Sequence, residues 1–513
     1  MERTLKPWPA LWALVIGFFM ILVDSTIVSI ANPAILDDLD TDLTAVIWVT
    51  SAYLLAYAVP LLITGRLGDR FGPKRVYMIG LVIFTLASLW CGLSDDITTL
   101  IAARAVQGLG AALMTPQTMA VITRIFPPNQ RGKAMGLWGA VAGVATLVGP
   151  ILGGVLVDSL GWEWIFFVNL PVGVVAFVAA WRLVPNLEMH AHRFDWLGVV
   201  LSAVGMFLVV FGIQEGETYD WGTITGPITV WGVIVTGLVV LAGFVLWQAF
   251  NRAEPLLPLG LFRDRNFSLS NVAITFVGLS IVSMPLPLAF YYQVARGLTP
   301  TQAALMLIPM AVVTGAMAPI VGRLVDRIDP KWIAVIGFAI TAAALGWTAT
   351  LLEPDTELWL LLIPSGLLGL GLSGVWAPLA SSATRNLPQS QAGAGSGVYN
   401  MTRQVGSVLG SAAIAALMNA RLTAELPGVD TSAAEQSGAG SGGMPPQILD
   451  GFTAAMSQSM LLPIIGFAAG AIVVLFFAKP KVTVAWGAGG SAPADASVDV
   501  DASTAAARTE WSG

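Results

Sequence analysis

Residues 65–75 read "GRLGDRFGPKR", and a related stretch, "GRLVDRIDPKW", occupies residues 322–332. The second copy begins 257 residues after the first, and each copy lies between two long apolar runs. The two copies share the letters G-R-L-x-D-R followed by P-K. This repeat, in the same setting each time, predicts that the chain consists of two halves with the same orientation.

The composition indicates a membrane protein. Of the 513 residues, 56% are hydrophobic and 11% are charged, whereas charged residues make up about 25% of an average soluble protein. So few charges cannot cover a globular surface, and the surface is therefore expected to face lipid. Fourteen apolar runs near twenty residues in length predict fourteen membrane-spanning helices.

The predicted architecture is an all-α polytopic membrane protein with two six-helix bundles and two inserted helices. We assign residues 1–185 to the first bundle, 186–258 to the inserted pair and 259–478 to the second bundle. A long outside loop, 419–455, interrupts the second bundle, and residues 479–513 form a cytoplasmic tail. Both segments are expected to be flexible, because they lack the apolar content that repays the entropy of ordering. Parallel repeats of this kind are a transporter architecture.

The distribution of basic residues predicts the orientation. An even number of spans puts both termini on one side, and 21 of the 25 Lys and Arg residues then fall on that side, against 2 on the other. Cytoplasmic loops carry such an excess of basic residues. We therefore expect a multi-pass protein of the plasma (inner) membrane with both termini in the cytoplasm.

One carboxylate lies well inside a predicted span: Asp24, in "FFMILVDSTIVSI" at residues 18–30. An ionised side chain at bilayer depth costs a few kcal/mol or more, so such residues are rare and usually functional. By the helical rise, Asp24 lies about 10 Å and Arg104 about 6 Å from the outer ends of their spans. The similar depths lead us to expect an ion pair, which would serve either proton coupling or structure alone.

The stretch 65–75 resembles the cytoplasmic signature of the major facilitator superfamily, and the chain as a whole resembles the fourteen-helix drug:proton antiporter branch. The resemblance implies the fold of that family and a gating role for this loop. An interdomain contact there would lock the cytoplasmic side and break on inward opening; the alternative is a basic loop without a gating role. The implied gating residues of the two copies are Gly65, Asp69, Arg70, Gly72, Arg75, Asp326 and Arg327.

Two further motifs concern the coupling of transport to proton movement. "LIAARAVQGLGAA" (100–112) resembles the fourth-span motif, whose arginine, here Arg104, is tied to proton coupling, and "VDSTIVSIANPAI" (23–35) resembles the first-span motif. The resemblance implies that Asp24 carries the coupling proton; the alternative is a packing carboxylate bonded to Ser or Thr. Thr26 and Gln107 are candidates for either substrate contact or structure.

"GAVAGVATLVGPILGG" (139–154) resembles the fifth-span motif that marks antiporters, which implies export. Its small residues favour close helix packing. The motif residues are Gly149, Pro150, Gly153 and Gly154.

"GWEWIFFVNLPVG" (161–173) and "YNMTRQVGSVLG" (399–410) resemble other patterns of the branch. Arg403, in the latter, is expected near mid-membrane, where it would meet either an anionic substrate group or helix carbonyls.

These features predict a proton-coupled exporter of hydrophobic or amphipathic drugs that works by alternating access, with H⁺ moving in and substrate out. The alternative is an exporter of an endogenous lipid or metabolite on the same fold. An enzyme is not expected, because no clustered nucleophile, acid–base or metal-ligand set lies in the spans, and His190 with His192 are too few for a metal site. We expect no metal or cofactor. The expected partners are the bilayer, a hydrophobic small molecule and protons, without nucleic acid or an obligate protein partner.

Overall fold

The computed structural model describes residues 6–41, 43–187, 195–216, 218–251, 255–387, 391–426 and 446–478. Helices dominate these ranges, with one short antiparallel hairpin. The helices of the first half are α1 (Pro7–Asp38), α2 (Leu43–Ala58), α3 (Leu61–Phe71), α4 (Pro73–Gly92), α5 (Ile97–Ile125), α6 (Pro128–Leu160), α7 (Trp164–Phe167) and α8 (Asn169–Leu183). The next elements are α9 (Trp196–Gln214), the hairpin β1 (Thr223–Thr225) and β2 (Ile228–Thr229), and α10 (Val230–Phe250).

The second half begins with a 3₁₀-helix at Leu259–Arg263 and contains a π-helix at Tyr291–Ala295. Its α-helices are α11 (Arg265–Ser283), α12 (Pro285–Phe290), α13 (Pro300–Leu305), α14 (Ile308–Val325), α15 (Pro330–Thr350), α16 (Leu358–Thr384), α17 (Ala392–Glu425), α18 (Pro446–Ser459) and α19 (Leu461–Leu475).

Twelve helical segments of the described ranges are long and apolar enough to cross a membrane, and a bent pair, Trp48–Ala58 with Leu61–Phe71, would make a thirteenth. The chain is therefore an all-helical multi-pass membrane protein. The bend of 46° falls at Pro60, between α2 and α3, because a proline ring lacks the N–H that would continue the helix. The sequence pattern instead predicted a single run over 47–63.

Each copy of the repeated motif packs on a helix from the other half: α3 on α17, and α14 on α6. Glycines permit both approaches. A methyl group at Gly322 would lie 2.8 Å from the Cα of Lys133, and one at Gly65 would collide with the carbonyl of Gly393. Residues without a side chain let two helix backbones come this close. We call the side of the molecule that carries these contacts the motif face.

The inserted helices α9 and α10 pack on each other, and α9 also contacts α2 and α17. Asp195, which precedes α9, ties the pair together. Its carboxylate accepts hydrogen bonds from Gly198 N at 2.9 Å, Trp247 Nε1 at 2.9 Å and Gln248 Nε2 at 2.8 Å. The acidic side chain thereby caps α9 at its N-terminus and joins it to the end of α10.

Parts of one segment that was predicted to be a flexible loop are helical. Helix α17 continues to Glu425 and α18 begins at Pro446, so both ends of the predicted outside loop 419–455 are helical. The sequence "NARLTAE" (419–425) is rich in strong helix formers, which explains the extension of α17. The rest of that loop, 427–445, lies outside the described residues, as do the predicted tail 479–513 and the pair His190 and His192.

Candidate functional site

Asp24 and Arg104 form an ion pair inside the first half of the molecule. Arg104 Nη1 of α5 lies 2.6 Å from Asp24 Oδ2 of α1, and both side chains are fully buried. The pairing that we inferred from their similar depths is therefore present. A buried charge that loses such a partner is strongly destabilising, so the two residues are expected to depend on each other.

Two amide side chains complete the shell of Asp24. Gln107 Nε2 donates to Asp24 Oδ1 at 2.7 Å, and Asn169 Nδ2 donates to the same oxygen at 2.8 Å. Hydrogen bonds to an ionised acceptor are about twice as strong as neutral ones. Asp24 thus receives three donors, from α5 and α8.

Asn169 is a site residue that was not predicted from the sequence. It is the first residue of α8 and lies inside the stretch 161–173, where the one available signal was an amide within an apolar run. Its Nδ2 also donates to Ser88 Oγ at 3.0 Å, and Ser88 Oγ donates to the carbonyl of Phe166 at 2.9 Å. Because Ser88 uses its proton on Phe166, its oxygen accepts from Asn169, and this fixes the amide nitrogen toward Asp24.

Arg104 has further contacts that stabilise its charge. Its Nε donates to the carbonyl of Val49 at 3.2 Å, and Nη1 also donates to Gln107 Oε1 at 2.6 Å. The guanidinium carbon lies 4.1 Å from the ring centroid of Tyr53 and 5.7 Å from that of Phe166, which are cation–π distances. The cation therefore keeps favourable contacts that do not depend on the charge of Asp24.

The antiporter motif meets α1 beside this cluster. A methyl group at Gly149 would collide with Thr26 Oγ1 and lie 3.1 Å from the carbonyl of Val23. The Thr26 hydroxyl donates back to that same carbonyl of Val23 at 3.0 Å. Gly153 is buried, a methyl at Gly154 would come no nearer than 3.9 Å to Thr301 Oγ1, and α6 continues through Pro150. Thr26 and Gly149 thus bring the first-span and fifth-span motifs into contact.

On the motif face, Asp69 caps a helix of the other half. Its carboxylate accepts from the backbone N–H groups of Gly393 and Ala394, each at 2.9 Å, in the first turn of α17. Arg124 Nη2 of α5 lies 2.5 Å from Asp69 Oδ1. A carboxylate is stabilised at a helix N-terminus, where unpaired N–H groups and the helix dipole meet it.

Asp326 makes the reciprocal contact. It accepts from the backbone N–H groups of Gly132 at 2.8 Å and Lys133 at 3.2 Å, near the start of α6. Burial raises the pKa of the Asp326 carboxyl to about 6, against the opposing effect of those two N–H groups. Each copy of the motif thus supplies an aspartate that accepts from backbone N–H groups near the start of a helix of the opposite half, and we call these two contacts the aspartate caps.

The remaining motif residues surround these caps. Gly72 has a φ of +88°, a left-handed conformation that glycine adopts without strain. Arg70 lies over the ring of Phe71 at 5.2 Å, and Arg75 is exposed. Arg327 is also exposed and borders a cavity of about 510 Å³ on the motif face, lined by Trp8, Gln130, Lys133, Arg323, Asp326 and Arg327.

Arg403 lies apart from the Asp24 cluster, on α17. Its Nη2 donates to the hydroxyl of Tyr57, across the two halves, at 3.4 Å. The ring of Tyr57 is stacked on that of Tyr53, with ring centroids 6.0 Å apart. Tyr53 is the residue whose ring makes the cation–π contact with Arg104. Among the described residues, the Arg403 side chain therefore contacts a tyrosine hydroxyl of the first half and no helix carbonyl.

Comparison with known proteins identifies the family. The sequence profile of the Major Facilitator Superfamily matches residues 14–411 of this chain. An "Uncharacterized MFS-type transporter Rv1250" of Mycobacterium tuberculosis is 52% identical over 473 residues, which are 92% of this chain and 81% of that protein. The "Tetracenomycin C resistance and export protein" of Streptomyces glaucescens is 36% identical over 421 residues, 81% of this chain and 77% of that protein.

A solved structure agrees at the level of the fold. The proton:xylose symporter XylE superposes with a TM-score of 0.60 at 12% identity, over 90% of this chain and 94% of that one. All of these are transport proteins rather than enzymes. The chain belongs to the Major Facilitator Superfamily.

Proposed function

We propose that the protein is a proton-driven exporter of hydrophobic or amphipathic drugs, with Asp24 as the proton carrier. The observation that carries this proposal is the buried cluster in which Asp24 receives donors from Arg104, Gln107 and Asn169. A carboxylate at membrane depth that is paired and fully hydrogen-bonded is typical of proton relays in transporters. The Streptomyces relative is named as a resistance and export protein, which supports export.

The proposed coupling works through the charge of Asp24. Protonation removes the negative charge that holds Arg104 Nη1, while Val49, Gln107 and Tyr53 continue to stabilise the guanidinium. Asp24 can therefore accept a proton while the Arg104 guanidinium keeps other stabilising contacts. Each proton that moves down the membrane potential releases about 2.3 kcal/mol per 100 mV, which drives the substrate outward.

The proposed alternation acts through the two aspartate caps. With Asp69 on α17 and Asp326 on α6, the halves are joined at the motif face, which we propose to be the cytoplasmic one. Inward opening must separate Asp69 from Gly393 and Asp326 from Gly132. A hydrogen bond to a charged group contributes about 1.5–3 kcal/mol, so the two caps together form a lock that substrate and proton binding can release.

We propose fourteen spans in a plasma (inner) membrane with both termini cytoplasmic. The bent pair α2–α3 and α6 add to the twelve long apolar helices. Helix α6 has 33 residues and is therefore about 50 Å long by the helical rise, enough to cross a bilayer. We also propose the domain bounds expected from the sequence, 1–185, 186–258 and 259–478. No cofactor is required, because the proton gradient supplies the energy.

Aromatic side chains at the junction of the halves support a hydrophobic substrate. Trp138 of α6 and Trp376 of α16 meet edge to face with ring centroids 6.4 Å apart, and Phe18 stacks on Trp138 at 4.7 Å. Such rings bind apolar ligands of varied shape. Phe18 and Trp138 are buried in the closed arrangement, so they would reach a ligand only after the halves separate. An endogenous lipid or metabolite would suit the same rings and is the alternative substrate class.

The test is substrate-driven proton flux in proteoliposomes that hold a pH gradient and a pH-sensitive dye. The panel contains lipophilic cations, neutral drugs and lipids, added to the wild type, Asp24→Asn and Asp38→Asn. Asp38 is the matched control, since it lies at the exposed end of α1 and bonds Trp162 Nε1 at 2.8 Å. We expect drug-driven flux in the wild type and Asp38→Asn and its loss in Asp24→Asn. Flux with lipids alone would favour the alternative, and equal flux in all three proteins would contradict the role of Asp24.

A further inference from the structure

Arg403 is a cation deep in the second half, and no described residue supplies it with a carboxylate partner. It lies eleven residues after Ala392, the first residue of α17, which is about 17 Å along the helix by its rise. Within the described ranges the two Lys/Arg–carboxylate pairs are Asp24 with Arg104 and Asp69 with Arg124, so neither includes Arg403. A charged side chain at this depth is expensive and marks a substrate or ion pathway.

In the part of the chain that the structure describes, the Arg403 side chain makes one hydrogen bond, and it is long. Arg403 Nη2 lies 3.4 Å from the Tyr57 hydroxyl, beyond the usual range for such bonds. The Tyr57 hydroxyl also pairs with Thr115 Oγ1 at 3.1 Å, and Thr115 donates to the carbonyl of Ala111 at 3.0 Å. Because Thr115 spends its proton on Ala111, its oxygen accepts from Tyr57, and the Tyr57 oxygen is left to accept from Arg403. A better acceptor can therefore replace this contact.

Further polar atoms on the same face of α17 are unsatisfied. Arg403 Nε, the hydroxyl of Tyr399 and Asn400 Oδ1 are buried and have no hydrogen-bond partner among the described residues. Residues three and four positions apart lie on one face of a helix, so Tyr399, Asn400 and Arg403 share a face. Asn400 Nδ2 lies 4.0 Å from Met119 Sδ of α5, which shows that this face meets the first half.

We propose that Arg403 is the anion-binding residue of the substrate path and that it selects amphipathic compounds bearing a carboxylate. Nε and Nη2 lie on one edge of the guanidinium, the geometry that receives the two oxygens of a carboxylate. The carboxylate displaces the long contact to Tyr57, takes the free Nε–H, and gains the Tyr399 hydroxyl as a third donor. This inference rests on the proposed export function and adds a substrate class to it.

The test is a binding assay on the full-length protein in detergent, without a proton gradient. Pyrenebutyrate, pyrenebutyramide and pyrenebutylamine share one fluorescent apolar body and differ in the head group, and fluorescence anisotropy gives their dissociation constants. We expect the wild type to bind the carboxylate about tenfold more tightly than the amide, which corresponds to about 1.4 kcal/mol. Arg403→Gln should bring the ratio near one while amide affinity stays within about twofold.

Two other variants keep the result interpretable. Arg421→Gln, the same change farther along α17, should retain the wild-type ratio, and Arg403→Lys, which keeps the charge but loses the paired N–H edge, should give an intermediate ratio. Equal binding of the three probes by the wild type, a preference for the amine, or a ratio unchanged in Arg403→Gln would each overturn the inference. The proposed export function fails separately, through absent proton flux in liposomes, because this assay measures binding alone.

Discussion

Asn169 Nδ2 lies 2.8 Å from Asp24 Oδ1, although the two residues are 145 positions apart in the chain. The contact places an amide donor from the start of α8 on the carboxylate of α1, on the oxygen that Gln107 also uses. The charge of Asp24 is therefore stabilised from two helices besides its own. Any movement of α8 relative to α1 changes the environment in which Asp24 holds its proton.

Asn169→Ala should lower substrate-driven proton flux about tenfold, because the loss of one hydrogen bond to a charged group costs about 1.5 kcal/mol. Ser88→Ala is the graded control: it removes the other partner of Asn169 and leaves the donor to Asp24 in place, so a loss of less than about threefold is expected. Flux measured in the same liposomes compares them. A larger loss in Ser88→Ala than in Asn169→Ala would contradict the assigned role.

Gly149→Ala should disrupt the contact between α6 and α1, since its methyl group would collide with Thr26 Oγ1. Overpacking of this kind costs about 1–3 kcal/mol, so we expect a lower unfolding midpoint in detergent and a loss of flux. Gly154→Ala, where the nearest atom would be 3.9 Å away, should behave like the wild type. Adding Thr26→Ala to Gly149→Ala should restore part of the midpoint; no restoration would argue against this contact as the cause.

Asp326→Ala should open the motif face more often, because it removes the oxygens that accept from Gly132 N and Lys133 N of α6. A cysteine introduced as Lys133→Cys reports this opening through its rate of labelling by a membrane-impermeant maleimide, and we expect a severalfold increase. Asp329→Ala serves as the control, since Asp329 accepts from Lys331 N within its own half at 3.0 Å. Equal labelling rates in the two backgrounds would show that the cap on α6 does not hold the halves together.

The same cap predicts a pH dependence. Burial raises the pKa of Asp326 from an ordinary value of 3.8 to about 6 in the closed arrangement, whereas hydration on opening returns it toward the ordinary value. The closed form therefore binds a proton at Asp326 more readily than the open form does. Protonation thus stabilises the closed form at low pH, and this stabilisation is lost as pH rises through about 6.

Labelling of Lys133→Cys, divided at each pH by its labelling in the Asp326→Ala background, should consequently fall as pH is lowered from about 7.5 to about 5. The division cancels the pH dependence of the thiol itself. A ratio that stays constant or rises over this range would contradict the prediction.

Some of the site could be predicted from the sequence because it depends on local pattern and depth. The repeat of G-R-L-x-D-R and the rarity of buried carboxylates were enough to single out Asp69, Asp326 and Asp24, and helical rise was enough to expect Asp24 beside Arg104. The partners of these residues could not be predicted in this way. Which helix start receives Asp326, or which amide reaches Asp24, is fixed by tertiary packing, so neither Gly132 nor Asn169 was predicted in its role.

The bend in the second span was missed for a similar reason. Apolar runs report burial in lipid, and residues 47–63 are apolar through Pro60, so the pattern favoured one straight helix. The break depends on a missing backbone donor at Pro60, which hydropathy does not register.

The most direct test of the central claim, that Asp24 carries the proton exchanged for substrate, is proton release on binding. Purified protein in weakly buffered detergent solution is mixed with a compound that elicits flux in liposomes, and the change in pH is recorded. The wild type and Asp38→Asn should release protons as substrate binds, and Asp24→Asn should bind the compound and release none. Equal release from all three proteins would contradict the claim and assign the exchanged proton to another group.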